Sequence, residues 1–353
     1  MSVFSAPDFD DHEQVVYCRD RKAGLQAIIA IHDTRLGPAL GGCRMRPYPS
    51  EEAALGDCLR LARGMTCKAA VAGLALGGGK SVILGDPRRD KSPALLRAMG
   101  RCVERLAGRY IVAEDAGTSV EDLRLMAEET GHVVGIADKP TGDGGRRSGD
   151  PSPATAHGVF LGIRAAVGHR LGRNDLAGVR VAIQGVGHVG LRLARLLAEA
   201  GARLWLAEVD RDRLAAALAE LPGAEPADPE AVFDLDCDVF SPCAFGAVIN
   251  DDTVPRLRAA VVAGAANNQL AAPRHGELLA ARGILYAPDF VINAGGLIDV
   301  ACEREGFDRE RLLARLERIA DNLLECFQRA EAERLPTSVI AERMAAERLA
   351  AVH

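Results

Sequence analysis

Lys80 follows three glycines and precedes a serine in GLALGGGKSVI, residues 73–83, and Lys68 lies upstream in MTCKAAVAG. Both lysines sit among Ala, Val, Leu and Gly, where a buried ammonium is costly unless it is used or paired. Two nearby cations plus desolvation would push one lysine toward the neutral amine at working pH, making it a general base. The other cation could then hold a carboxylate. Asp115, in VAEDAGTS, lies well after Lys80 in the same half of the chain. The competing reading is two surface lysines whose stems lie along apolar surface and whose heads reach water. A phosphate cradle is disfavoured, because GxxxxGK[ST] needs glycine at position 74, which is Leu74, while Gly73 is one residue too far.

A second constellation is QGVGHVG, which reads Gly185-Val186-Gly187-His188-Val189-Gly190. GxGxxG alone is weak, but here a strand-like run precedes it, a helical run follows, and Glu208 closes the next strand about 20 residues on. Gly185 permits the turn, Gly187 lets backbone approach a pyrophosphate, and Gly190 lets helix and strand pack closely. The helix N-terminus then offers N–H groups and positive dipole to phosphate. Glu208, with Asp210 as its rival, would accept hydrogen bonds from the adenosine ribose and repel a 2′-phosphate, favouring NAD over NADP.

These residues need a scaffold. EQVVYCRD and LQAIIAIHD, separated by RKAG, read as a hairpin. Ser50 reads as the N-cap of a helix through EEAALGDCLRLARGMTCKAA. SVILG and RYIVAED read as strands divided by a helix around PALLRAMGRCVERLAG, so the alternation argues for an open α/β sheet. ADKPTGDGGRRSGDP, residues 137–151, is the expected hinge. Beyond it come a helix (PATAHGVFLGIRAAVGHRL), the strands VRVAIQ and ARLWLAEVD, and strand-like runs in CDVFSPCA, AAVVAGAANN and ILYAPDFVI. Leu312, Leu313, Leu316, Ile319, Leu323, Leu324 and Phe327 trace an apolar helix face, and Pro336 precedes a last helix.

With 353 residues, about two domains are expected. A net charge of −6 without a basic block argues against nucleic acid or an anionic membrane as partner. There is no apolar run long enough for a membrane span, and the acidic start MSVFSAPDFDDHEQ has no export-signal pattern. Nine dispersed cysteines without CxxC read as reduced, mostly buried thiols of a cytoplasmic protein. The eight histidines make no zinc spacing, so no metal is expected.

In order, LGPALGGCRMRPY, MTCKAAVAGLALGGGKSVI, AEDAGTS, GDPSPATAHGV, QGVGHVG, AGAANNQL and APDFVINAGG resemble the glutamate/leucine/phenylalanine/valine dehydrogenase superfamily, and within it the leucine and phenylalanine enzymes. The resemblance implies a two-domain α/β fold with the active site in the cleft between the domains. Residues 1–148 plus 332–353 would form the substrate-binding and oligomerisation domain with a mixed sheet, and 149–331 a Rossmann-type NAD domain. It implies Lys68 as the grip on the substrate carboxylate, Lys80 as the catalytic lysine and Asp115 as the proton shuttle to nitrogen. Thr155, Asn267 and Asn268 would lie near the nicotinamide, and Asn293 at the substrate end of the cofactor. As read from residue type alone, the asparagines could equally be turn residues.

The implied reaction is NAD-dependent, reversible oxidative deamination of an L-amino acid to a 2-oxo acid and ammonia. Leu40, Ala113 and Val291 resemble the pocket of enzymes that take leucine, isoleucine or valine, whereas phenylalanine enzymes tend to have glycine at the first two. The alternatives are an aromatic or broad amino acid dehydrogenase and a catalytically silent NAD-binding relative. Arg44 and Arg46 could meet a side-chain carboxylate but read better as structural ion pairs. Cys67, Gly79 and Leu297 depart from the leucine enzymes at or beside the pocket. The family also implies a homo-oligomer, from dimer to octamer.

Overall fold

A computed structural model of the chain describes residues 3–140, 145–244 and 246–351; residues 141–144 of the expected hinge lie outside these. The chain divides into two compact units. The first comprises Met1–Asp150, Val300–Arg309 and Ala345–His353, and the second Pro151–Asp299 and Glu310–Met344. Against the boundaries expected at 148/149 and 331/332, the long stretches of these units meet at 150/151, and the final return to the first unit begins at Ala345.

In the first unit, β1 (Gln14–Asp20) and β2 (Leu25–Asp33) form the expected antiparallel hairpin. With β3 (Ala39–Arg46), β4 (Gly77–Leu84) and β5 (Tyr110–Glu114) they make a mixed sheet of order β1-β2-β4-β3-β5. Strand β4 lies antiparallel to β2 and parallel to β3, which is parallel to β5. Two core clusters cover the sheet, and this is why IIAI in β2 is a continuous apolar run. Ile29 and Ile31 pack in the cluster that includes Leu95, Met99 and Leu123, from α2 (Pro93–Glu104) and α3 (Val120–Ala127). Ile28 and Ala30 pack with Leu55, Leu59 and Ala62 of α1 (Glu51–Ala72). Helix α1 starts where expected, with the Ser50 hydroxyl accepting from the Ala53 N–H at 3.2 Å, and ends on Gly73 at φ 65°. A two-residue pair, β6 (Lys139–Pro140) and β7 (Arg146–Arg147), follows.

Strand β4 begins at Gly77 rather than at Ser81, so the three glycines before Lys80 are strand. Glycine is depleted in strands, but close packing requires it here. A Cβ at Gly78 would overlap the backbone of Thr66 in α1, and one at Gly79 would lie 2.8 Å from Cδ2 of Tyr110.

The second unit opens with α4 (Ser152–Leu171). Its parallel sheet has the order β10-β9-β8-β11-β12-β13. The strands are β8 (Arg180–Gln184), β9 (Arg203–Ala207), β10 (Glu225–Ala227), β11 (Val239–Pro242), β12 (Val261–Val262) and β13 (Leu285–Tyr286). Helices α5 (His188–Glu199), α6 (Arg211–Glu220) and α7 (Arg274–Ala281) lie between strands in the chain, as parallel pairing requires. The run ILYAPDFVI is strand only at its start: Pro288 has no N–H for the ladder, and Asp289–Ile292 turns into the short helix α8. Three helices close the chain: α9 (Gly295–Arg304), α10 (Arg309–Glu333) and α11 (Thr337–Ala350), the last two separated by Pro336. The apolar face expected on α10 is buried at Leu312, Leu316, Ile319, Leu323 and Phe327, while Leu313 and Leu324 lie at its margin, half-buried.

Among the described residues, which include all nine cysteines, no disulfide forms, and seven of the nine are buried. No group of metal-ligating side chains and no helix long and apolar enough to cross a membrane occurs among them.

Candidate active site

Successive strand residues face opposite sides of the sheet, so Lys80 on β4 and the Leu40, Gly42 and Arg44 series on β3 point toward α1. Lys80 is 5% exposed, and its Nζ lies 2.8 Å from Oδ2 of Asp115, just beyond the end of β5. Gly42 leaves the room for this pair: its Cβ position is 2.6 Å from Asp115 Cβ and 3.2 Å from Lys80 Nζ. This geometry excludes the snorkelling reading for Lys80. The partner it shows for Lys80 is a carboxylate, where the sequence had suggested a second cation.

The AEDAGTS turn is rigid for identifiable reasons. The Thr118 hydroxyl donates to the Cys43 carbonyl at 2.9 Å and accepts from the Asp115 N–H at 3.1 Å. Gly117, at φ 87°, packs against the Met45 backbone, where a side chain would overlap. Burial alone would push the Asp115 carboxyl up, but Lys80 and Arg44 outweigh it and hold it down at about 2. It is therefore a carboxylate at neutral pH. Glu114 behaves oppositely: burial and the acidic neighbours Asp150, Glu121, Asp115 and Asp122 push it up to about 7.

Lys68 lies half-buried in the last turns of α1. Leu40 and Ala113 are buried on β3 and β5, two positions of the expected pocket, while Val291, 1% exposed, belongs to α8 in the second unit. At the departures from the leucine enzymes, Gly79 gives its side-chain space to the Tyr110 ring, Cys67 is half-buried, and Leu297 is buried in α9.

In the second unit the three fingerprint glycines have three different environments. Gly185 adopts φ 94°, and a Cβ there would lie 2.7 Å from that of Ala244. A Cβ at Gly190 would overlap the Gly185 carbonyl, so it marks close helix–strand contact. Gly187 has nothing within 4 Å of its Cβ position, and it caps α5 without a side-chain hydrogen bond. No side chain of the N-cap takes up the first N–H groups of α5, and the open space at Gly187 lets a ligand approach this end of the helix, which fits a dinucleotide pyrophosphate. The Glu208 carboxylate accepts from the Val186 N–H at 3.1 Å and the Asp210 N–H at 3.1 Å, joining the acidic residue to the glycine loop. Asp210 itself caps α6, accepting from Asp212 and Arg213 N–H groups.

Asn293 is 4% exposed, and its Nδ2 donates to the Ala265 carbonyl at 3.1 Å and to Asn267 Oδ1 at 2.8 Å. Because those partners are acceptors, the amide orientation is set, and Oδ1 is buried without a partner among the described residues. An orphaned acceptor of this kind suits a ligand donor such as a carboxamide or an ammonium. Asn268, at φ 51°, is a turn residue whose carbonyl accepts from the Ala247 N–H. Thr155, in the first turn of α4, donates to the Pro151 carbonyl, and its Oγ1 lies 2.7 Å from the Cβ position of Gly296.

Residue spacing pointed neither to Asp57 and Tyr48 nor to the carboxylate that Arg44 meets. Arg44 joins Asp115 at 2.9 Å to Asp57 of α1 at 3.1 Å, so it makes the structural ion pair expected of it, on the same carboxylate that meets Lys80. The Tyr48 hydroxyl donates to Asp57 at 2.7 Å. Two-residue alternation along β3 was the available signal, since it puts Leu40, Gly42 and Arg44 on one face.

Comparison with known proteins matches residues 12–132 to the description "Glu/Leu/Phe/Val dehydrogenase, dimerisation domain" and residues 204–353 to "Glutamate/Leucine/Phenylalanine/Valine dehydrogenase". The chain is 51% identical to leucine dehydrogenase of Geobacillus stearothermophilus over 99% of its length and 94% of the relative's. Among solved structures it resembles the L-tryptophan dehydrogenase of Nostoc punctiforme, with TM-score 0.80 and 43% identity over 97% of each chain. It also resembles a hetero-hexameric glutamate dehydrogenase from Thermus thermophilus, with TM-score 0.78 and 26% identity over 97% of this chain and 89% of that one.

Proposed function

Because the chain belongs to the Glu/Leu/Phe/Val dehydrogenase family, we propose that it oxidatively deaminates a branched-chain aliphatic L-amino acid, leucine before isoleucine or valine, in an NAD-dependent and reversible reaction. The products are the 2-oxo acid, ammonia and NADH. The observation that carries this reading is the buried Lys80–Asp115 pair, 2.8 Å apart beside the glycine-thinned strands β3 and β4, in a chain that also has a glycine loop without a side-chain cap.

NAD, when bound, supplies the hydride acceptor for the substrate α-carbon; the Gly185–Gly190 loop and Glu208 would hold its pyrophosphate and ribose. Lys68 binds the substrate carboxylate and turns the α-hydrogen toward the acceptor, a positioning effect. Loss of hydride leaves an iminium carbon that water attacks. Lys80, as the neutral amine, takes a proton from that water. Asp115, ionised at neutral pH, accepts and returns protons at the substrate nitrogen until ammonia leaves. In reductive amination the same steps run backward. Asn293 Oδ1, Asn267, Asn268 and Thr155 are assigned to the nicotinamide side of the site.

Leu40, Ala113 and Val291 set the side-chain volume. The fold itself does not choose the substrate, since a tryptophan enzyme shares it at TM-score 0.80. A difference of one methylene is worth about 1–3 kcal/mol, so leucine, isoleucine and valine are expected to overlap as substrates.

The protein assembles as a homo-oligomer, between dimer and octamer, through its first unit, and works in the cytoplasm. The dimerisation-domain match at residues 12–132 supports the assembly. The test of activity is NADH formation against a panel of L-amino acids, with Lys80→Ala as control. Leucine and valine turnover without phenylalanine turnover is expected, with Lys80→Ala reduced about 10²–10⁴-fold. Robust phenylalanine turnover overturns the pocket assignment, and light scattering that finds only monomer overturns the assembly.

A further inference from the structure

The acid–base pair does not stand alone. Asp115 Oδ2 receives Lys80 Nζ at 2.8 Å and Arg44 Nε at 2.9 Å, while Arg44 Nη1 reaches Asp57 Oδ2 at 3.1 Å. Arg44 and Asp57 are 15% and 14% exposed at their side chains, so water screens this chain of charges weakly. The Tyr48 hydroxyl fixes the far end by donating to Asp57.

From this geometry we infer that Arg44 is a positioning residue for the deamination reaction. It fixes the rotation of the Asp115 carboxylate so that Oδ1 meets the substrate nitrogen. It also offsets the carboxylate's field at Lys80, so that the pair can release a proton at working pH. The inference rests on the amino acid dehydrogenase reading and adds a residue to it.

Two cations on one oxygen fix the orientation of the carboxylate, which a single flexible lysine would not. Without Arg44, Asp115 would hold the ammonium of Lys80 alone, and attraction between adjacent opposite charges favours the charged form of each. Arg44 is itself kept charged against the cost of burial by Asp115 and Asp57. The other groups around the pair include Cys43 on β3, Cys58 of α1, whose thiol donates to the Lys80 carbonyl, Tyr110 and Glu114 on β5, and Asp122 of α3, which is bonded to Lys91.

Charge dictates signs that packing damage does not. Removing the Arg44 cation makes its neighbours hold protons more tightly, so the acidic limb of the kcat–pH profile moves to higher pH. Removing the Asp57 anion does the reverse. The experiment measures NADH formation from leucine across pH for the unaltered enzyme, Arg44→Met, Arg44→Lys and Asp57→Asn. The limb is expected to rise by about one unit or more in Arg44→Met, on the scale of a lost close charge. It should return most of the way in Arg44→Lys and fall in Asp57→Asn.

A slower Arg44→Met enzyme with an unmoved limb overturns the inference, as do Arg44→Met and Asp57→Asn limbs that move in the same direction. If Arg44→Met does not fold, the sign of the Asp57→Asn shift decides alone. An unaltered enzyme that forms no NADH from leucine overturns the functional reading and this inference together.

Discussion

Replacing Gly42 by alanine adds one methyl group next to the Lys80–Asp115 pair, the proposed reacting groups, and changes no charge. Its Cβ would lie 2.6 Å from Asp115 Cβ, 2.7 Å from the Glu114 carbonyl oxygen and 3.2 Å from Lys80 Nζ. The lysine tip can swing away, but Glu114 is held in the β3–β5 ladder, where it pairs with Cys43, and Asp115 follows it directly with its N–H bonded to the Thr118 hydroxyl. Ordinary contact begins near 3.4 Å, so going from 3.4 to 2.6 Å leaves a shortfall of about 0.8 Å that the strands must yield. Overpacking of this kind costs about 1–3 kcal/mol, or roughly 2–12 °C in Tm for a unit of this size. A misplacement near 1 Å at reacting groups costs on the order of 100-fold in rate, so kcat should fall about 10–100-fold. The assay is steady-state NADH formation at saturating leucine and NAD, with calorimetry alongside. Gly64→Ala is the control: it lies within α1 with nothing within 4 Å of the new methyl, and it should keep kcat and gain a little stability. A Gly42→Ala enzyme with at least half the normal kcat and an unchanged Tm would refute the claim that glycine is there to let Lys80 and Asp115 close.

The remaining predictions concern specificity and pH. Glu208→Ala should raise NADP use relative to NAD, because it removes a buried carboxylate beside the glycine loop; unchanged cofactor preference in kcat/KM would show that Glu208 only braces Val186. Leu40→Gly with Ala113→Gly should shift kcat/KM toward phenylalanine by about 10–200-fold, the range of small volume changes in an apolar pocket. Glu114 is held near 7 against an ordinary 4.5, so the folded chain binds more protons in that window and stability falls as pH rises through it. Glu114→Gln should flatten that decline and gain about 1–2 kcal/mol at pH 8 after allowing for solvent screening, read as the change in denaturant midpoint.

The parts of the site legible in the sequence are those whose spacing is local. Gly185, Gly187 and Gly190 fall within six residues, and the structure gives them the turn, the open approach and the close contact that their order suggested. Ser50 as N-cap and the β1–β2 hairpin are local in the same sense. What spacing could not show is pairing over distance. Arg44 meets Asp115 across 71 residues of chain, and Tyr110 fills the space that Gly79 leaves from a neighbouring segment. The glycines before Lys80 were ambiguous for a related reason: glycine signals a loop unless something packs against it, and Thr66 does so from another element. The same fact explains why this lysine sits behind glycines at all. A strand carrying side chains at positions 78 and 79 would be pushed off α1 and off Tyr110, and Lys80 could not then lie 5% exposed within 2.8 Å of a carboxylate. Burial of the amine and thinning of the strand are therefore one requirement, which placing Lys80 against Asp115 imposes on its neighbours.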